Sequence, residues 1–184
     1  GLATTAQTVD LLTTAINTYG GDARKAAQYA DIFAKAVERG KVTADEIAAS
    51  FASIGPIAAA SGIEINEIAA AYARLTAAGI PAAEAATAMR SAIVGLTRVN
   101  RDLEDLQKQT GKNYLALAGQ KGLVPALQEL RLDADKSGVP LIKLIGRVEG
   151  LNFILSTTGP NLAAYNADLD AMGKSAGTAA AQMS

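Results

Sequence analysis

The chain predicts an all-α fold: a multi-helix domain of short Ala-rich helical hairpins with no substantial sheet. Three observations carry that expectation. Hydrophobic residues make up 49% of the 184 residues but aromatics only 4%, so the core must come from Ala, Leu and Ile on closely packed helices. Apolar residues recur at steps of three and four, the period of a helical face. Gly and Pro fall between the periodic stretches, at Gly20-Gly21, Gly79-Ile80-Pro81 and Gly159-Pro160, where helices end and begin. About eight to ten short helices are expected, packed through small residues.

Each element has its own signal. Val9, Leu12, Ile16 and Tyr19 form a first stripe, closed by Gly20-Gly21. Asp22 caps a second helix with Ala26, Tyr29 or Ala30, Phe33 and Val37 on one side, and Gly40 ends it. Thr43-Ala44-Asp45-Glu46 has the form of a capping box, in which hydroxyl and carboxylate each satisfy a free backbone donor. The helix it opens carries Ile47, Phe51 and Ile54 and is expected to break near Gly55-Pro56. A short apolar piece, Ile57 to Ala60, then leads to Ser61-Gly62. Ile65, Ile68, Tyr72 and Leu75 share a face of the next helix. Gly79 suits its left-handed close and Pro81 the first position of the helix that follows. Asn100 caps a charged helix, Arg101 to Thr110, with Leu103 and Leu106 buried. Gly111 to Gly119 reads as a loop around Tyr114, Leu115 and Leu117. Two Pro-started helices follow. The first buries Leu123, Leu127 and Leu130 before Gly138. The second runs from Val139-Pro140 through Leu144 and Ile145, pauses near Gly146, and resumes with Val148, Leu151, Ile154 and Leu155 until Gly159-Pro160. A last helix, Asn161 to Met172, carries Leu162, Tyr165, Leu169 and Met172 along one side.

These elements group as an N-terminal helical subdomain over residues 1–97 and a C-terminal one over 98–172. Residues 173–184 read as a flexible tail or the start of a further segment. Glu46 to Ile54 matches Glu67 to Leu75 with aromatic and aliphatic positions kept. Either a helix-turn unit is duplicated, or amphipathic Ala-rich helices converge on such strings. The missing starting Met and the Gly/Ala/Ser end suggest a fragment of a longer protein. No basic segment followed by an apolar run marks a signal peptide.

Composition narrows the chemistry. There is no histidine and no cysteine, so the usual proton shuttle, thiol nucleophile and transition-metal ligands are missing. No Walker-type loop and no G-x-S-x-G occurs. The net charge of −1 gives no case for nucleic acid. No cofactor or metal is expected. Paired carboxylates are the remaining catalytic option, and Glu64 with Glu67, or Asp102 with Glu104 and Asp105, are the candidates. The first two read better as helix-start residues and the others as a solvated face, so no catalytic residue is assigned. Arg90 reads as a surface residue covering its helix with its stem. Arg147 and Glu149 are placed to pair locally, and Asn113 and Asn152 to close backbone turns. The uncharged stretch Ile47 to Ile63 is shorter than a membrane span, which needs about 20 apolar residues.

Five passages carry a resemblance that chemistry alone does not suggest: Ala70-Ala-Tyr-Ala-Arg-Leu-Thr-Ala-Ala-Gly-Ile80, Ala85-Ala-Thr-Ala-Met-Arg-Ser-Ala-Ile93, Lys121-Gly-Leu-Val-Pro-Ala-Leu-Gln-Glu-Leu130, Leu141-Ile-Lys-Leu-Ile-Gly-Arg-Val-Glu-Gly-Leu151 and Leu155-Ser-Thr-Thr-Gly159. In wording, order and spacing the chain resembles phage tail tape-measure proteins, in the region ahead of their long helical rod, and Gly40 to Gly62 also fits. At Glu64 it departs from the family's Ser or Thr cap, which weakens that helix start. The resemblance implies a structural, non-enzymatic part in tail length determination and tail assembly. It implies tail tube and baseplate proteins, assembly chaperones and further copies of the chain as partners. It places the protein in the virion tail, and in the host bacterial cytoplasm during assembly. Membrane contact would come at ejection, with Ile47 to Ile63 the first candidate. Some relatives carry a cell-wall hydrolase, in a separate segment. The alternatives are a cytosolic helical adaptor or protein-interaction domain and, after it, a cell-wall hydrolase fragment.

Overall fold

A computed structural model describes residues 6–176. Among them it holds eleven α-helices, one 3-10 turn and no strand. The helices are α1 (Ala6–Tyr19), α2 (Ala23–Arg39), α3 (Ala44–Ala60), α4 (Ile65–Ala77), α5 (Ala82–Thr97), α6 (Arg101–Thr110), α7 (Tyr114–Lys121), α8 (Leu123–Ser137), α9 (Leu141–Ile145), α10 (Val148–Thr157) and α11 (Leu162–Ser175), with the 3-10 turn at Gly159–Asn161. The all-α expectation holds.

Helix α4 sits at the centre. Ile65, Ile68, Tyr72 and Leu75 are buried as the period predicts, and so are Ala69, Ala70, Ala71 and Ala73 between them. A helix apolar on every side needs neighbours on every side, and α2, α3, α5, α10 and α11 supply them. Small side chains let those neighbours come close. A methyl added to Gly40 would stand 3.0 Å from the Ala73 Cα, and one on Gly150 of α10 would stand 3.1 Å from the Ala92 backbone nitrogen of α5. Gly95 of α5 meets the Ile145 carbonyl in the same way, at 2.7 Å. The few large side chains fill the gaps between these contacts, and Phe33 and Phe51 meet edge to face at 5.4 Å.

The helix ends follow the sequence signals closely. The Asp22 carboxylate accepts from the Arg24 and Lys25 amides. The Thr43–Glu46 capping box is complete. Asn100 accepts from Leu103 N–H at 3.2 Å and also donates to the Lys143 and Leu144 carbonyls, tying the start of α6 to α9. At the end of α4, Gly79 takes φ +95°, so the Ile80 amide reaches back to the Leu75 carbonyl at 3.0 Å and the Gly79 amide to Thr76. That is the paired bonding of a Schellman close, which only a residue free of Cβ crowding makes cheaply. Pro81 stands just before α5, as its cap residue, rather than at its first position.

Several expectations need correction. Helix α3 does not break at Gly55-Pro56 but runs to Ala60, with Pro56 inside it. Proline removes the bond to the carbonyl four residues back, here Ala52, and both residues lie on the exposed side, where a freed carbonyl costs less than in the core. Gly55 is present for another reason: an added methyl would stand 2.9 Å from the Phe51 ring. Residues expected as a loop from Gly111 to Gly119 mostly form α7, capped by Asn113, whose side chain accepts from Ala116 N–H at 3.0 Å. In α1 the buried residues are Thr8, Leu11 and Ala15, one residue round from the expected stripe, and Val9 is exposed. In α10 they are Gly150, Phe153, Ile154 and Thr157, leaving Val148 and Leu155 outside. In both helices a small residue, Ala15 or Gly150, lies on the inward face. Leu11, Phe153 and Ile154 share those inward faces, and Leu12, Ile16, Tyr19 and Leu151 pack partly buried against the core. Helix α11 extends past Met172 to Ser175. The rest of the expected tail, from residue 177, lies outside the described residues.

The matched strings occupy equivalent positions. Glu46 and Glu67 each accept the backbone N–H three residues upstream, at 2.8 Å. Ile47 and Ile68, Phe51 and Tyr72, and Ile54 and Leu75 are all buried.

Phenols connect elements that are distant in sequence. Tyr19 donates to the Ile63 carbonyl at 2.7 Å, and Tyr72 shares a bond with Ser50 at 2.8 Å. Burial raises all five tyrosines above the ordinary 10.0, with Tyr72 and Tyr114 pushed up to about 12. In the unfolded chain a phenol loses its proton near pH 10. Between the two values the folded state holds the more protons, so their stabilising contribution, full below pH 10, is lost as pH rises through the folded values. The phenolate absorbance of the native protein should therefore rise mostly above pH 10, with the buried Tyr72 and Tyr114 ionising only near or beyond about 12. Full tyrosine ionisation near pH 10 with the helix signal intact would contradict this burial.

Candidate functional site

The two carboxylates with the best claim to chemistry, Glu64 and Glu67, are adjacent turns of one helix start with opposite environments. Glu64 is exposed and Glu67 is buried. Both border a hollow of about 270 Å³ with Gly122 and Pro125. Each Glu67 oxygen is already engaged: Oε2 accepts the Glu64 amide at 2.8 Å and Oε1 accepts the Leu123 amide, the first of α8, at 2.7 Å. Gly122 makes the second bond accessible, because at φ +104° any Cβ there would stand 2.8 Å from Oε1. Burial raises the Glu67 carboxyl most, the two backbone donors pull it back, and the Glu64 charge adds to the rise. One carboxylate thus fastens the N-termini of α4 and α8, fifty-six residues apart in sequence. Its capping role was legible from the S/T-x-x-E-like spacing; its reach to α8 was not.

The other acidic candidates are a solvated face, as expected. Asp102, Glu104 and Asp105 are all exposed on α6. Among the described residues no group of acidic side chains could hold a metal ion. A different acid, Asp133 of α8, is more deeply engaged. Its Oδ2 accepts from the Tyr114 hydroxyl at 2.7 Å and from Lys112 Nζ at 2.8 Å. Burial works to raise it, but the bonds from Lys112 and Tyr114 prevail and hold it below the ordinary carboxylate value. It fastens the loop before α7 to α8, and Arg39 with Asp168, at 2.7 Å, ties α2 to α11 in the same fashion. The sequence offered no marker for either long-range pair.

Arg147 and Glu149 form no ion pair, and both are exposed. Instead Arg147 lines the same hollow as Arg90, which stands on α5. Asn152 is exposed on α10 and Asn113 caps α7, which agrees with a backbone role for the latter. Among the described residues no helix is long and apolar enough to cross a membrane.

Among the described residues the exposed large aliphatics are Val9, Val99, Leu132, Ile142, Val148 and Leu155. All but Val9 lie on α8, α9, α10 and the α5–α6 link, and Val99 is 95% exposed. The site's chemistry is therefore that of a helical packing module, with buried carboxylates used as fasteners and apolar tips presented outside.

Comparison with known proteins gives this module its family. A family model described as phage-related minor tail protein matches residues 1–140. The chain belongs to that family of phage tail proteins, as its resemblance to tape-measure sequences led us to expect, and the family's place is the virion tail. It is similar to the tape measure protein of Pneumococcus phage Dp-1, with 21% identity over 121 residues, which is 66% of this chain and 10% of that protein. The chain thus spans about a tenth of that relative's length. No solved structure matches it.

The Glu67 fastener yields a stability prediction. Glu67→Gln leaves one buried amide facing an NH₂ group in place of an oxygen and should cost about 1–3 kcal/mol in urea unfolding. Glu46→Gln, at the exposed equivalent position, should cost under about 1 kcal/mol. Equal losses would show that the bond to Leu123 contributes nothing.

Proposed function

We propose that this chain is part of a tape-measure protein and serves tail length determination and tail assembly as a compact docking module beside the ruler, not as the ruler itself. The observation that carries the reading is the similarity to a tape measure protein of which this chain spans only a tenth. A ruler measures by a fixed rise of about 1.5 Å per helical residue. Eleven helices folded back on one another among the described residues do not offer one continuous rise. A folded cluster can instead mark an end, where tail tube subunits, baseplate proteins or assembly chaperones meet it, or where further copies associate. The exposed aliphatics on α8 to α10 are the surface we assign to that contact. The module would act in the host cytoplasm while the tail is built, and without making or breaking covalent bonds. The uncharged stretch Ile47 to Ile63 would come into play if the protein meets the host membrane at ejection.

In the phage that encodes the full protein, an in-frame deletion of residues 62–96 separates module from ruler. A rod shortened by that much would give tails about 50 Å shorter at 1.5 Å per residue. A docking module gives few or no tails, with any survivors of normal length. Proportionally shortened, infectious tails would contradict the proposal. Release of soluble fragments from peptidoglycan by the purified chain would contradict its non-enzymatic part.

A further inference from the structure

Arg90 and Arg147 are fifty-seven positions apart and share no sequence motif, yet they line one hollow of about 320 Å³. Ser53 of α3, Thr87, Ser91 and Val94 of α5 complete the lining, and no acidic residue takes part. Neither arginine belongs to any of the ion pairs found among the described residues. Thr87, Arg90, Ser91 and Val94 follow one another at helical steps along a single stripe of α5, and Arg98 caps its end. Arg98 continues the positive edge, because its guanidinium lies 3.0 Å from where a Cβ of Gly146 would stand, next to Arg147. Arg147 is also the cap residue of α10 and makes no side-chain cap bond, so the amides of that helix start are left to other acceptors. The nearest acids in sequence, Glu84 one turn before Thr87 and Glu149 two residues after Arg147, are exposed and stand outside the lining.

We infer that this hollow is a carboxylate-binding site, which receives an acidic side chain of a protein partner between Arg90 and Arg147. Two arginines that line one concavity and join no ion pair among the described residues can supply charge-assisted N–H bonds to both oxygens of a carboxylate. Ser53 and Thr87 already donate to the Ser50 and Ala83 carbonyls, so the anion's donors are the two arginines and Ser91. Val94 offers an apolar wall for the methylenes of a glutamate. A phosphate lattice would call for a longer basic array than this hollow presents. The inference rests on the docking reading and gives it a chemistry: the partner carries a Glu or Asp that enters this cleft.

The test uses the whole chain and a hexaglutamate peptide, followed by ¹⁵N NMR at low ionic strength. Shifts should concentrate on Ser91, Val94 and Arg147 and fade as salt is raised. Arg90→Ala and Arg147→Ala should each weaken binding about tenfold, the factor that corresponds to a lost charge-assisted bond. Arg24→Ala, on exposed α2, should leave it unchanged. Circular dichroism checks that each variant keeps its helices, and should one unfold, the shift map of the unaltered chain decides alone. Absence of binding, shifts elsewhere, or indifference to both arginines would overturn the site. So would binding of inorganic phosphate or phosphatidylglycerol vesicles, but not the peptide, through the same residues. Failure here would leave the deletion phenotype untouched, and a normal tail from the deletion would leave peptide binding untouched, so the two readings fail separately.

Discussion

Close approach of helices through Ala and Gly is the constraint on which the rest of this structure depends. With few aromatics available, the chain cannot fill wide gaps between helices; it must remove them. Helix α4 shows the consequence, with four alanines buried among its larger aliphatics. Small residues mark the close crossings: Gly40 from the end of α2 against α4, and Gly95 and Gly150 where α5, α9 and α10 meet. Dispersion contacts are short-ranged, so even a modest separation would forfeit much of the attraction. Large residues are then sited by where the small ones allow the backbones to meet.

Polar groups inside such a core must serve the same end. The Glu67 carboxylate fastens two helix starts, Asp133 gathers a lysine and a tyrosine, and Tyr19 and Tyr72 bond across elements. Each Glu67 oxygen is engaged by a backbone amide although the residue borders a hollow. Each of these groups satisfies a donor or acceptor that packing would otherwise strand, which is what burial of polar atoms requires. Chemistry that faces outward is of another kind: guanidinium groups without partners and apolar tips, both suited to contact with another protein.

Much of this was legible in the sequence. Caps at Asp22, Thr43 and Asn100 and the turn at Gly79 obey local rules, because their bonds close within a few residues. The core stripe of α4 was equally plain. The stripes of α1 and α10 were legible in part: Leu12, Ile16, Tyr19, Leu151 and Ile154 do pack on the core, whereas Val9, Val148 and Leu155 face outward and Ala15 and Gly150 inward. Pro56 was misread because its helix-breaking effect depends on whether the freed carbonyl meets water, which a sequence does not display. Glu67 with Leu123, Arg39 with Asp168 and Arg90 beside Arg147 are all products of tertiary assembly and leave no periodic trace. The family itself was read from wording, and the match over residues 1–140 agrees with it.

The packing claim is tested most directly by urea unfolding of two alanine variants. Ala73 is fully buried on α4, with its Cα 3.0 Å from the position a Gly40 Cβ would take, while Ala83 is exposed on α5. Ala73→Leu should lower stability by about 1–3 kcal/mol through overpacking, and Ala83→Leu should change it by no more than about 0.5 kcal/mol. A neutral or stabilising Ala73→Leu would mean that α4 has room to spare, and that small side chains do not set the spacing of this fold.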